Sequence, residues 1–307
     1  MPLTQRITVL PAFAVLVALV AGLAAFGLQP SAAAAFEPTM TCSDDGGPYP
    51  CEPGESPKQV RWPRNCVSFH INRDGSANVA GETAGLSDDL EAVVVEAFDR
   101  WDRVECSHLQ LLYAGRTDNA AAEVTEDDAK NMNLIVWRDE DWPSSASNMA
   151  LAVTSVTFDT SNGKIVDADV EFNSATHDFS TSTPPKPNHT DLLNTLVHEV
   201  GHFIGLDHTP VSEATMYASA AEGETKKRTL EQDDIDGICY IYPVEDEDAQ
   251  CAPEDGLNGS EPDSGGGSDP EESGCGCAAT RPSVPAGWLV VALAGLAGLG
   301  VRRRRRS

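Results

Sequence analysis

Apolar and polar residues follow two different periods between residues 66 and 243. Alternating positions and short apolar runs predict β-strands at 66–71, 109–113, 132–137, 150–158 and 165–172. The last two segments flank Asn162 and Gly163, a strong turn signal, so we expect them to form an antiparallel hairpin. A helix is predicted after Ser87, a typical N-cap residue, from the helical spacing of Leu90, Val93, Val94, Ala97, Phe98 and Trp101.

Two further helices are predicted in the second half of the chain. Residues 192–204 are apolar almost all round, which is typical of a helix buried beneath a sheet. Thr229 and Gln232 have the spacing of a capping box and predict where the last helix begins. Residues 244–274 are rich in Asp, Glu, Gly, Ser and Pro, so we expect an extended stalk there without a core of its own.

Both ends of the chain resemble targeting segments. Arg6 precedes an apolar run at 7–28 and four alanines at 32–35, which predicts a signal peptide cleaved before Phe36; a retained anchor is the alternative. At the other end, Cys275 and Cys277 precede an apolar stretch at 286–301 and five arginines at 302–306. This stretch is shorter than the roughly 20 residues of a stable span, and the arginines favour the cytoplasmic side.

Charge and cysteine content agree with export. All 48 acidic residues lie between Phe36 and Gly274, and the net charge of −27 disfavours nucleic acid and anionic lipid as partners. The stretch between Phe36 and Gly274 also has an even set of cysteines, which is typical of disulfides in an exported chain: Cys42, Cys51, Cys66, Cys106, Cys239 and Cys251. Proximity suggests Cys42 with Cys51 and Cys239 with Cys251, although Cys51 could instead cap a metal.

The stretch 198–208 has the spacing of a catalytic zinc site. His198 and His202 are four residues apart and lie on one face of a helix, with Glu199 beside them. Gly205 permits a turn that returns the chain to the metal, and His208 is then a third ligand. Three imidazoles leave a fourth position for water, whose pKa zinc lowers from about 15.7 to roughly 7.

With these residues the chain resembles the metzincin endopeptidases. Met216 and Tyr217 look like the methionine turn that lies beneath the metal in that clan. Thr209, which follows the third histidine, is closest to the serine of the matrixins, and the stretch 230–238 is similar to their last helix. The resemblance implies that Asp233 and Asp234 secure the methionine turn and the mature N-terminus; a solvated helix face is the alternative.

The resemblance implies an α+β zincin-like fold, with a mixed, mostly parallel, twisted five-stranded sheet. One antiparallel strand is expected at the edge beside the cleft, with the zinc helix beneath the sheet. The implied parts are a signal peptide at 1–35, an N-terminal segment at 36–60, a matrixin-like domain at 61–243, an acidic linker at 244–280 and a short membrane segment with an arginine-rich end at 281–307. The implied activity is zinc-dependent endopeptidase cleavage of proteins or peptides, with Glu199 as the general base.

The C-terminal pattern resembles a MYXO-CTERM surface-sorting tail. It implies a sorting peptidase as a partner, Cys275 or Cys277 as the new anchoring end, and an enzyme that is held at the cell surface, at the outer membrane, or secreted after tail processing. An ordinary tail anchor is the alternative. Asp167, Asp169 and Glu171 alternate on one strand face and could bind calcium, as matrixins often do near this point, or face solvent.

Some positions depart from the matrixin pattern. Ala218 stands where these proteins usually have a proline in the wall of the specificity pocket. No histidine lies between His108 and His177, so the second, structural zinc of animal matrixins is not expected, and we predict one zinc ion. The competing interpretation is a zinc-bearing adhesion or binding module without turnover, and the presence of Glu199 argues against it.

Overall fold

The computed structural model describes residues 35–43, 50–80, 85–122, 132–143, 146–244, 288–294 and 297–299. The predicted signal peptide lies outside these ranges except for Ala35. The predicted sorting cysteines Cys275 and Cys277 and the five arginines also lie outside them. None of the helices in the described ranges is both long and apolar enough to cross a membrane.

The described part of the chain contains both helices and strands, and most of the strands precede the second helix. The helices are α1 (Asp88–Asp102), α2 (Leu192–Phe203) and α3 (Gln232–Ile241), with a short 3-10 helix at Lys226–Arg228. The strands are β1 (Glu37–Pro38), β2 (Cys66–Asn72), β3 (Val79–Ala80), β4 (Gln110–Thr117), β5 (Leu134–Trp137), β6 (Ala152–Asp159), β7 (Ile165–Phe172), β8 (Phe179–Ser180), β9 (Thr190–Asp191), β10 (Leu206–Asp207), β11 (Ser219–Ala221), β12 (Trp288–Ala294) and β13 (Ala297–Leu299).

The main sheet confirms the predicted mixed, mostly parallel arrangement and adds a strand to it. Within the described residues its order is β12-β6-β7-β5-β2-β4. Strands β4, β2, β5 and β7 run parallel, and β6 is antiparallel to β7. The antiparallel strand β6 was expected at the edge, and this expectation is wrong because the C-terminal strand β12 pairs with its outer side.

The N-terminal caps of α1 and α3 agree with one sequence prediction and contradict the other. Ser87 is confirmed as the N-cap of α1, since its Oγ accepts from the amide of Leu90 at 3.0 Å. The predicted capping box of Thr229 and Gln232 is wrong. A 3-10 turn directly precedes Thr229, whose backbone is extended, so α3 begins at Gln232 with Glu231 as N-cap and Asp234 completing the box.

Helix α2 is buried between the sheet and α1. The ring of Phe98 on α1 stacks on Phe69 of β2 at 3.6 Å and meets the edge of Phe203 of α2 at 5.3 Å. The indole of Trp101 donates to the carbonyl of Val197 at 2.8 Å, which ties α1 to the middle of α2. The apolar residues of α2 therefore anchor the helix and fix the position of its polar side chains.

The disulfides confirm one predicted pair and correct another. Cys42 is bonded to Cys51, so Cys51 does not cap a metal. Cys239 is bonded to Cys106 and not to Cys251, which lies outside the described residues. The reason is tertiary: the chain after α1 runs beside the chain after α3, where the amide of His108 donates to the carbonyl of Tyr242 at 3.1 Å.

Candidate metal centre

The predicted ligands come from the end of α2 and from the turn that follows it. Helix α2 ends at Phe203, and Gly205 has a φ of +96°, a conformation that side-chain-bearing residues rarely adopt. A Cβ at Gly205 would also lie 2.3 Å from the carbonyl oxygen of Val60. Glycine at this position lets the chain reverse into β10 and return His208 to the helix.

The three histidines converge on one centre. Their ligand atoms all lie within 4.8 Å of one another, and in the described part of the chain no other group of three potential ligands meets this condition. The Nε2 atoms of His198 and His202 each lie 3.2 Å from Nε2 of His208. A tetrahedral zinc ion with Zn–N bonds of about 2.0–2.1 Å separates its ligand atoms by about 3.3 Å, so the spacing fits zinc.

The tautomers and charge states of the histidines also fit a metal. Nδ1 of His198 lies 2.6 Å from the carbonyl of Thr215, and Nδ1 of His202 lies 2.9 Å from that of Leu206. Carbonyls only accept, so both Nδ1 atoms carry the hydrogen and both Nε2 atoms are left to bind. Burial lowers the pKa of all three imidazoles, to about 3 for His202, which keeps them neutral at neutral pH.

Glu199 lies beside the centre and is fully buried. Its Oε2 accepts a 2.7 Å hydrogen bond from the hydroxyl of Thr154, which belongs to β6. The same hydroxyl lies 3.2 Å from the backbone carbonyl of Glu199. Thr154 therefore links strand β6 to the carboxylate that is predicted to be catalytic, a contact that the sequence did not indicate.

The methionine turn packs directly against α2. A Cβ placed on Gly201 would lie 2.1 Å from Sδ of Met216, so the absence of a side chain at Gly201 makes room for the thioether. Met216 is itself buried. Sequence reasoning assigned no role to Gly201, although a glycine in the middle of a buried helix is a signal of close approach.

Asp234 and Lys227 hold the backbone of this turn from two sides. The Asp234 carboxylate accepts from the amides of Thr215 at 2.8 Å and Met216 at 3.0 Å. The Lys227 ammonium is buried and donates to the carbonyls of Thr215 at 3.2 Å and Tyr217 at 2.5 Å. Burial raises the pKa of Asp234, against the hydrogen bonds that it accepts, and lowers that of Lys227 to about 8.

Asp233 connects the same region to the start of the described chain. Its carboxylate accepts from the amide of Ala35 at 2.7 Å and from the hydroxyl of Thr209 at 2.8 Å. Strand β1 then pairs antiparallel with β10, immediately before His208. These contacts tie Ala35, the residue before the predicted cleavage point, to the loop of the third ligand.

An ion pair at the opposite end of α2 was not predicted. Asp191 is the N-cap of α2 and accepts from the amide of Asn194 at 2.7 Å. The Arg228 guanidinium pairs with both oxygens of the buried Asp191 carboxylate. The 3-10 segment Lys226–Arg228, to which the sequence analysis assigned no role, therefore braces both α2 and the methionine turn.

The three acidic residues considered for calcium lie along β7. All are buried, so the alternative of a solvated strand face is wrong. Asp169 accepts from the amide of Leu134 at 2.9 Å, and Glu171 pairs with Arg138 at 2.5 Å. Burial, with the charge of Asp167 as the next cause, raises the pKa of Asp169 well above its usual range.

The sequence is similar to those of known metalloendoproteinases. A family model described as Matrixin matches residues 62–243. Metalloendoproteinase 2-MMP from Arabidopsis thaliana is 25% identical over 189 residues, or 61% of this chain and 44% of the relative. Metalloendoproteinase 1 from Glycine max is 28% identical over 160 residues, or 52% of this chain and 47% of the relative. Neutrophil collagenase from Homo sapiens is 28% identical over 199 residues, or 64% and 36%. The chain thus spans less than half the length of these curated relatives.

Proposed function

The chain belongs to the matrixin family, and on this premise we propose that it is a zinc metalloendopeptidase with His198, His202 and His208 as the metal ligands. The observation that carries the proposal is the convergence of three neutral imidazoles on one centre beside a buried carboxylate. When bound by three imidazoles, zinc is a Lewis acid that polarises a carbonyl group and lowers the pKa of water to roughly 7.

Glu199 is the general base of this reaction. It follows the first ligand on a rigid helix, and the hydrogen bond from Thr154 fixes the orientation of its carboxylate. Glu199 takes a proton from the attacking water and later delivers it to the nitrogen of the leaving amine. Thr154 is a positioning residue in this mechanism.

The substrate is a protein or peptide that binds in an extended conformation. Extended peptides bind to sheet edges through main-chain hydrogen bonds, and neighbouring pockets supply specificity. Strand β6 is suited to this role because Thr154 on β6 is in direct contact with Glu199. A peptide that pairs with the outer side of β6 therefore runs beside the general base.

Export to the cell surface is part of the proposal and is supported by the sequence patterns at both ends. A sorting peptidase acts on the tail near Cys275 or Cys277, and the enzyme is surface-held or released after this processing. The disulfides Cys42–Cys51 and Cys106–Cys239 are in keeping with an oxidising compartment.

The experiment that tests the catalytic proposal compares the full chain with Glu199→Gln and His202→Ala. Cleavage of a mixed peptide library is followed by mass spectrometry, and bound zinc is measured by atomic absorption. We expect Glu199→Gln to keep zinc and to lose about 10²- to 10⁴-fold of the cleavage rate, because a general base contributes about that factor. His202→Ala is expected to lose zinc and activity together.

Three results would contradict the proposal. Equal cleavage by wild type and Glu199→Gln would exclude the carboxylate as the base. A folded wild-type chain that binds no zinc would exclude the metal centre. A zinc-loaded chain that cleaves nothing, even when proline substitutions disrupt strand β12, would favour the binding-module interpretation instead.

A further inference from the structure

Two strands near the C-terminus pair with the two strands that flank the metal centre. Strand β12 is antiparallel to β6, with Trp288 opposite Asp159 and Ala294 opposite Val153. Strand β13 is parallel to β11, with Ala297 opposite Ser219 and Leu299 opposite Ala221. We call β12 and β13 the tail strands.

Each of the two partner strands is linked to one part of the candidate site. Leu293 of β12 is opposite Thr154, whose hydroxyl donates to Glu199. Strand β11 begins two residues after Tyr217, the last residue of the methionine turn. That turn contacts His198 through the carbonyl of Thr215. The tail strands are thus paired on the Glu199 side and on the methionine-turn side of the same site.

The tail strands are consecutive parts of one peptide. Only residues 295 and 296 separate them in the sequence. Antiparallel pairing with β6 followed by parallel pairing with β11 gives the peptide one direction across the site. It is also the arrangement of a bound extended substrate in the proposed function, because main-chain pairing with β6 brings a peptide next to Glu199.

We propose that the tail strands are an intramolecular ligand of the peptide-binding cleft, and that the full chain is inhibited until they are displaced or removed. This proposal rests on the proposed function, since the pairing with β6 uses the strand edge that a substrate needs. The seven-residue register along β6 leaves no free edge from Val153 to Asp159 for a second peptide.

The sequence of the tail suits this role. Residues 288–294 are uncharged and include Val and Leu, which favour strands. The linker at 245–287 is long enough to reach either end of the sheet, since an extended chain covers about 3.3 Å per residue. Five arginines follow the tail strands, and their attraction to the strongly acidic remainder of the chain favours the docked state. Tail processing by a sorting peptidase would then also free the cleft.

The test substitutes Val290→Pro together with Val291→Pro. Alternate amides of a strand point to a given neighbour, so proline at two consecutive positions removes at least one hydrogen bond to β6. The matched control is Gly266→Pro with Gly267→Pro, which adds two prolines to the linker. All chains carry Glu199→Gln for the exchange measurement, so that none can trim its own tail.

Native-state hydrogen exchange of β6 is the readout that does not depend on activity. Without β12, the outward amides of Ala152–Asp159 belong to an edge strand and exchange faster. In the variant with Val290→Pro and Val291→Pro, we expect these amides to exchange at least about tenfold faster than in the chain that carries Glu199→Gln alone. The linker control should exchange them at the same rate as that parent chain. Equal exchange in all three chains would overturn the proposal.

Peptide cleavage by chains that keep Glu199 then separates the catalytic proposal from the proposal that the tail docks in the cleft. Faster peptide cleavage by the Val290/Val291 pair than by wild type, with an unchanged linker control, is the expected result. If exchange responds and no chain cleaves although all bind zinc, the catalytic proposal fails and the tail docking stands. If exchange and cleavage are both unaffected by the prolines and cleavage is present, the docking fails and the catalytic proposal stands.

Discussion

The histidine segment and the methionine turn beneath it lie in contact, but they depend on different parts of the chain. His198, His202 and His208 come from one short stretch, and Gly205 permits the turn that brings them together. The methionine turn is held by groups from two later elements, Asp234 of α3 and Lys227 of the 3-10 helix. The ligand segment is therefore locally determined, whereas the support beneath it requires the tertiary fold.

The metal ligands and the groups that hold the methionine turn also differ in charge. The three ligand imidazoles are neutral, because burial lowers the pKa of each below its ordinary value. The support carries one buried carboxylate and one buried ammonium, and each of these bonds to the backbone of the turn. Buried charges are costly without partners, so their presence indicates that the position of this turn must be fixed.

Among the substitutions near the methionine turn, removal of the Asp234 side chain is expected to lower stability most. Asp234→Ala leaves the amides of Thr215 and Met216 without their acceptor, and an unsatisfied buried donor costs about 1–3 kcal/mol. We expect the free energy of unfolding of the metal-free chain to fall by about 3 kcal/mol, measured by urea denaturation.

The control for this change is Asp236→Ala on the same helix. Asp236 accepts from the side chain of Gln232, four residues away, and an exposed pair of this spacing contributes roughly 0.5 kcal/mol or less. Similar losses in the two variants would show that Asp234 acts through α3 and not through the methionine turn.

A methyl group at Gly201 tests the contact between the two regions. Alanine is favoured over glycine inside a helix by roughly 1 kcal/mol, but its Cβ would lie 2.1 Å from Sδ of Met216. Overpacking costs about 1–3 kcal/mol, so we expect Gly201→Ala to be destabilising by about 1 kcal/mol in total.

A double-mutant cycle checks that this effect comes from the two named side chains. In the background of Met216→Ala, the thioether is absent, and Gly201→Ala is expected to be neutral or stabilising. If Gly201→Ala costs the same stability in both backgrounds, the strain arises elsewhere, for example against Trp101, which is the next nearest side chain.

The sequence predicted the ligand segment well because its determinants are close together in the chain. Helical spacing, a permissive glycine and a third histidine specify the cluster without long-range information. The period-two patterns likewise predicted the strands β2, β4, β5, β6 and β7, with ends that differ by a few residues. The turn signal at Asn162 and Gly163 correctly predicted the hairpin of β6 and β7.

The features that the sequence did not predict depend on tertiary neighbours. The ion pair of Arg228 with the N-cap carboxylate of Asp191 joins residues that are 37 positions apart in the sequence. Cys239 is near Cys251 in sequence but near Cys106 in space. The pairing of β12 with β6 also depends on tertiary neighbours, because the composition of a short apolar stretch does not distinguish a strand from a membrane segment.

Lys227 provides a test of the charged support that is read from the pH dependence of stability. Its folded pKa is lowered to about 8, below the ordinary value of 10.5, chiefly by burial. Between these two pH values the unfolded chain binds more protons than the folded chain, so the contribution of Lys227 to stability increases as the pH rises. The unfavourable contribution is fully present below pH 8, where both states carry the charge.

Lys227→Met keeps the length of the side chain and removes its titration. For the metal-free chain, unfolding with urea at several pH values from 8 to 10 should show that the free energy of unfolding rises more steeply with pH in wild type than in Lys227→Met. Lys226→Met is the matched control, since the neighbouring Lys226 is more exposed and bonds to the carbonyl of Ser212. Parallel pH profiles for wild type and Lys227→Met would show that the ammonium is solvated, and the contrast between neutral ligand imidazoles and a charged support would then no longer hold.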